Sequence, residues 1–71
     1  MATNICVLLG ERIRALRKQK RWRQLDLAQH SGVHEVHISD LERGSREVGL
    51  RTLHALAKAL DTTMSELLNG I

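Results

Sequence analysis

The chain has 71 residues, with 11 lysines and arginines against 8 aspartates and glutamates, a net charge of +3, and no proline, tyrosine or phenylalanine. That is the length of one small domain with a single core, too short for a second domain and with little room for a closed catalytic pocket. The one cysteine, Cys6, cannot form an internal disulfide, and the apolar run Ile5–Leu9 is too short to span a membrane and precedes rather than follows its basic residues. A cytoplasmic protein without membrane association is therefore expected.

Strand-favouring residues never alternate for long, so the chain reads as all-α. Helix 1 is predicted to start between Thr3 and Leu8, with Thr3 or Asn4 as N-cap, and to end near Lys20. Leu9, Ile13 and Leu16 recur with helical spacing and form its buried stripe. Arg12, Lys18 and Gln19 project away from that stripe, and Arg17 lies beside it. Residues 1–23 carry a net charge of +6 and residues 24–71 a net of −3. A basic end of this kind points to a polyanion, although the same charges also fit a solvated helix face.

The link Arg21-Trp22-Arg23 leads into helix 2, with Trp22 predicted to plug the core. Helix 2 is predicted over Gln24–His30, with Leu27 and Ala28 facing inward and Leu25 exposed. Gly32 breaks the chain. Helix 3 runs from His34 or Glu35 to Glu42, with Gly44 placed to terminate it. Helix 4 starts near Gly49 or Leu50 and buries Leu50, Leu53, Leu56, Ala57 and Leu60. Helix 5 starts at Thr63, where Thr63 and Glu66 fit a capping box, and Met64, Leu67 and Leu68 supply its apolar face. The result is a compact five-helix all-α domain over residues 1–71, with a short N-terminal extension over 1–7.

Residues 24–43 organise the rest. Ala28 is small where two helices approach, Gly32 accepts the positive φ of a sharp break, and Ile38 and Leu41 give the second helix an apolar face. This spacing is that of a DNA-binding helix-turn-helix, whose second helix enters the major groove.

With GERIRALRKQK, WRQLDLAQHSGV, HISDLERG and TLHALAKALDTTMSELL in this order, the chain resembles the lambda-repressor-like helix-turn-helix family over about residues 9–69. That family includes phage repressors, Cro proteins and restriction–modification controller proteins. The resemblance implies a five-helix domain that binds double-stranded operator DNA as a homodimer and regulates transcription, with no cofactor and no catalytic residue. It implies that Gln24 binds a phosphate at the start of helix 2, that Arg17 and Glu42 tie helix 1 to helix 3, and that Arg43 and Arg46 grip the DNA backbone. It places Glu35, Val36, Ser39 and Asp40 on the base-reading face, with His34 and His37 flanking it within reach of phosphates.

Several residues depart from the family pattern. Arg23 stands at the N-cap of helix 2 and cannot accept a bond from the free amides, and His34 replaces the usual serine or threonine cap of helix 3. Arg21 replaces a common glycine and is strained if left-handed geometry persists there. The reading face carries no arginine or glutamine. Glu35 and Asp40 are unable to read guanine through its acceptors but can accept from cytosine N4, and Val36 suits a thymine methyl. Selectivity then arises partly by rejection, while Arg23, Arg43, Arg46 and the cations of helix 1 supply phosphate contacts that protonated His34 and His37 strengthen.

Other readings compete. His30, His34 and His37 have ligand-like spacing, but Gly32 places a turn among them and no second cluster completes a metal site. No nucleophile–base spacing or phosphate loop supports an enzyme. An antitoxin whose main partner is a toxin protein is the serious alternative, with exposed Leu25 and the acidic later part of the chain as its surface. Almost nothing lies beyond the helices to neutralise such a partner, which favours the regulator; a toxin or polymerase contact is left open. Met64, Leu67, Leu68 and Ile71 exceed the apolar content one small core needs and are the expected dimer interface.

Overall fold

A first turn that starts at Ile5 needs an acceptor just before it, and Asn4 supplies one: its Oδ1 accepts from the Cys6 N–H at 2.8 Å. In the computed structural model, which describes residues 4–71, this opens α1 (Ile5–Gln19), followed by α2 (Gln24–Ser31), α3 (Glu35–Glu42), α4 (Leu50–Ala59) and α5 (Met64–Leu67). The helix thus begins inside the stretch expected as an extension, while Thr3, the other candidate cap, lies outside the described residues. No strand occurs among the described residues, and no helix there is long and apolar enough to cross a membrane.

The core joins Leu9 and Ile13 of α1, Leu27 of α2, Ile38 and Leu41 of α3, Leu53, Leu56 and Ala57 of α4, and Leu60 and Leu67 beyond it. Three expectations change. Leu50 is 74 % exposed: it is the first residue of α4 and lies at the helix end, before the turns in which Leu53, Leu56 and Ala57 pack inward. Trp22 is half-buried at the edge of the core rather than plugged into it. Its ring meets His30 with centroids 4.2 Å apart, and the Lys20 ammonium lies 5.1 Å from its centre, a cation–π contact. Leu67 is fully enclosed within the monomer and therefore offers no surface to a dimer partner.

Three helices end in the same way. At the end of α1 the Trp22 N–H donates to the Arg17 carbonyl and the Arg21 N–H to that of Lys18; Ser45 and Gly44 repeat the pattern after α3, and Thr62 and Asp61 after α4. This is the Schellman closure, which requires a left-handed residue at its pivot. Gly44 adopts it freely at φ 71°, but Arg21 and Asp61 hold φ 59° and 56° with a Cβ. The two strained turns are joined, since the Lys20 Nζ lies 2.7 Å from Asp61 Oδ2 and hydrogen bonding to that lysine holds the Asp61 carboxyl below the usual carboxylate range. A left-handed L-residue costs about 1–2 kcal/mol, and glycine returns part of that gain through its looser unfolded state. Arg21→Gly is therefore expected to stabilise the domain by about 1 kcal/mol, seen as a rise of roughly 4–8 °C in the thermal midpoint by circular dichroism.

Candidate nucleic-acid interface

The turn between α2 and α3 is made by Gly32 at φ 75°, with its N–H donating to the Ala28 carbonyl. Val33 follows, half-buried, and Ile38 and Leu41 anchor α3 beneath it. With those residues inward, Glu35 and Val36 stand outward, and Val36 is 62 % exposed.

Behind this pair of helices lies an ionic lock. Arg17 of α1 donates through Nε to Glu42 Oε2 at 2.7 Å and through Nη2 to Oε1 at 2.9 Å, while its Nη1 reaches the Trp22 carbonyl at 2.7 Å. Both side chains are almost entirely buried, at 10 % and 4 % exposure. The hydrogen bonds from Arg17 to Glu42 outweigh the burial that opposes its charge and hold the guanidinium more firmly protonated than an ordinary arginine. The Gln24 amide joins them, donating to Glu42 Oε1 at 3.2 Å. Gln24, expected on a phosphate, is in this structure the link that fixes the start of α2 to the α1–α3 pair.

Of the two N-caps, Arg23 is as expected and His34 differs. Arg23 offers no acceptor, and its own N–H is instead taken by Asp26 Oδ2 at 2.7 Å, with the guanidinium bonded to the same carboxylate. Those side-chain bonds, and then the backbone one, hold Asp26 below the usual carboxylate range. His34 does cap α3, because its Nδ1 accepts from the Val36 N–H at 3.1 Å. With Nδ1 engaged in the cap, the Nε2 edge is the one left for a contact outside the chain. His37 departs further, with a buried Nε2 that has no hydrogen-bond partner, so this edge does not face an incoming phosphate.

The rest of the expected reading face is already occupied. Arg43 Nη1 donates to Ser39 Oγ at 2.9 Å, Arg43 Nη2 pairs with Asp40 Oδ1, and Arg46 Nε lies 3.3 Å from Asp40 Oδ2. Asp40 is only 19 % exposed beneath two arginines at 64 % and 65 %. Its carboxylate, expected among the base readers, is thus paired with two cations of its own chain. Of the cations of α1, Arg12 donates to the carbonyls of Glu66 and Asn69 and closes the end of α5, while Arg14 and Lys18 are exposed without an ion pair among the described residues.

The family described as Helix-turn-helix matches residues 13–67. The chain belongs to this family. Among helix-turn-helix proteins it is similar to the control protein C.BamHI of Bacillus amyloliquefaciens, 37 % identical over 97 % of this chain and 86 % of that one. It superposes on the restriction-modification controller protein C.AhdI from Aeromonas hydrophila with a TM-score of 0.87 at 38 % identity, covering 92 % of this chain and 98 % of that chain. The P22 c2 repressor, solved in complex with a synthetic operator, gives a TM-score of 0.81 at 44 % identity, covering 89 % and 96 %.

Two features of this helix-turn-helix were missed by sequence reasoning. Asp26 stands at the third position of α2, where an acid can reach back to the N-cap amide, a signal that was legible. Gly10 touches α3 backbone to backbone; its only sequence mark is a glycine in a helix interior without a stated reason.

Proposed function

We propose that this chain is a sequence-specific DNA-binding transcriptional regulator, acting in the cytoplasm as a homodimer on a roughly palindromic operator with α3 in the major groove. The observation that carries this reading is the outward face of α3, where Glu35 and exposed Val36 lie beyond a rigid Gly32 turn, with Arg23, Arg43 and Arg46 exposed around it. Operator-bound P22 c2, a relative with the same fold, supports it. Glu35 and Val36 read bases, the valine against a thymine methyl and the glutamate against a cytosine amino group. Ser39 contributes through Arg43, and the arginines hold phosphates.

The partner copy docks, in this reading, on the surface where Leu68, 43 % exposed, and half-buried Ile71 border an apolar groove that Ile5 and Val48 also line, while Met64 packs against the monomer core. Selection of binding sites from random duplex DNA tests the whole reading. Enrichment of two inverted half-sites about one helical turn apart, ~34 Å, is the expected result; absence of any enriched sequence would remove the function, and a single unpaired half-site would remove the dimer.

A further inference from the structure

Two exposed arginines share one half-hidden carboxylate at the end of the recognition helix, and this arrangement has a direct consequence for specificity. Asp40 lies in the last turn of α3, with one oxygen on Arg43 and the other on Arg46. Its backbone is held as well, since the Asp40 carbonyl accepts from both the Ser45 N–H at 3.1 Å and the Ser45 Oγ at 3.0 Å. The loop that carries Arg46 is thereby tied to the residue that carries the carboxylate. A duplex approaching α3 meets the guanidiniums first and the negative charge directly behind them.

Charge and hydrogen bonding respond differently to this geometry. At the distances of a loose encounter, a phosphate responds to the sum of the three groups, one net positive charge rather than two. At hydrogen-bond distance it responds to individual N–H groups, and each guanidinium has donors to spare: Arg43 uses Nη1 on Ser39 and Nη2 on Asp40, and Arg46 meets Asp40 as an ion pair alone. The carboxylate therefore weakens long-range, sequence-independent attraction more than it weakens directed contacts made after α3 has seated in the groove.

We propose that Asp40 is a specificity-determining positioning residue, which holds Arg43 and Arg46 as a fixed fork and suppresses binding to DNA that α3 does not fit. This rests on the DNA-binding reading above. It differs from reading a base, because Asp40 acts through the two arginines on every sequence alike. Asp26, which also pairs with an exposed arginine, is no substitute for the test, since it caps the Arg23 amide as well.

The test compares wild type with Asp40→Asn, which keeps the shape and removes the charge, and with Asp40→Ser as a second variant. Each is assayed against a random-sequence duplex and against the site enriched by selection, across a salt series, after circular dichroism has established equal helicity. Release of one positive charge per Asp40 steepens the log–log salt slope for random duplex by about 0.9. The corresponding gain in affinity per Asp40 is about fivefold at ~0.15 M salt and about fifteenfold at ~0.05 M, squared for a dimer that seats both copies, and fades towards ~1 M. The ratio of selected to random affinity falls, and adding Arg43→Ala and Arg46→Ala to Asp40→Asn abolishes the gain. A folded variant whose random-duplex affinity and salt slope are unchanged, or whose binding is weaker, overturns the proposal. That outcome with a wild type that still enriches a site leaves the DNA-binding reading intact, whereas a wild type that enriches no site and binds no duplex at low salt overturns both.

Discussion

Glu42→Ala is expected to unfold most of the protein at physiological temperature. The substitution leaves the Arg17 guanidinium 10 % exposed with only the Trp22 carbonyl for company, and it also strands the Gln24 amide. Breaking one side of a buried pair costs roughly 3–5 kcal/mol. A domain of this size has of the order of 5 kcal/mol in total, so the loss is comparable with the whole stability. Urea denaturation followed by circular dichroism measures it directly. The companion variant, Arg17→Met with Glu42→Leu, removes both charges and fills similar volume, and it is expected to recover the fold to within about 1 kcal/mol of wild type or better. Its DNA affinity should nevertheless fall, because nothing then holds Gln24 at the start of α2. Equal instability of the single and double variants would show that the hydrogen-bonded pair itself, and not the charge left stranded by its loss, governs this site.

The helices of this protein are legible because their signals are local. Leu9, Ile13, Leu53, Leu56 and Leu60 recur at helical spacing, Gly32 and Gly44 mark breaks, and all of these residues except the two glycines are buried as the pattern requires. The Arg17–Glu42 pairing follows from family likeness and is present with two hydrogen bonds. What was not legible depends on which partner a polar side chain finds across space. Asp40, Arg43 and Arg46 read as separate outward charges, yet two of the three contacts that decide their state involve the loop after α3. Gln24 carries an amide that suits a phosphate or a carboxylate equally, and only the folded position of Glu42 decides between them. The His34 cap differs from expectation for a simpler reason: an imidazole nitrogen accepts from a backbone N–H as a hydroxyl oxygen does.

Gly10→Ala separates local propensity from packing by the sign of its effect. In an isolated helix the change would stabilise by about 0.8–1 kcal/mol, because glycine in a helix interior loses more backbone freedom. In this fold a Cβ on Gly10 would lie 2.3 Å from the Leu41 carbonyl oxygen and 2.8 Å from that of Glu42. These are backbone atoms of the last turn of α3 and cannot rotate away as a side chain would. Nor can α1 readily slide along α3, since a Cβ at Gly44 would meet Val7 Cα at 2.7 Å, which shows that the two backbones are also in contact at a neighbouring point. Relief therefore requires α1 and α3 to move apart. That motion loosens Leu9, Ile13, Ile38 and Leu41 in the core and stretches the bonds from Arg17 to Glu42. Overpacking of a core costs about 1–3 kcal/mol, and a clash with fixed backbone belongs at the upper end. A net destabilisation of about 2 kcal/mol is expected, a fall of roughly 8–16 °C in the thermal midpoint. DNA affinity measured well below that midpoint should fall too, because the shift displaces the helix that bears Glu35 and Val36 relative to Arg23 and Gln24. A rise in the midpoint would mean that the α1–α3 junction yields at little cost, and that glycine at this position serves no packing purpose.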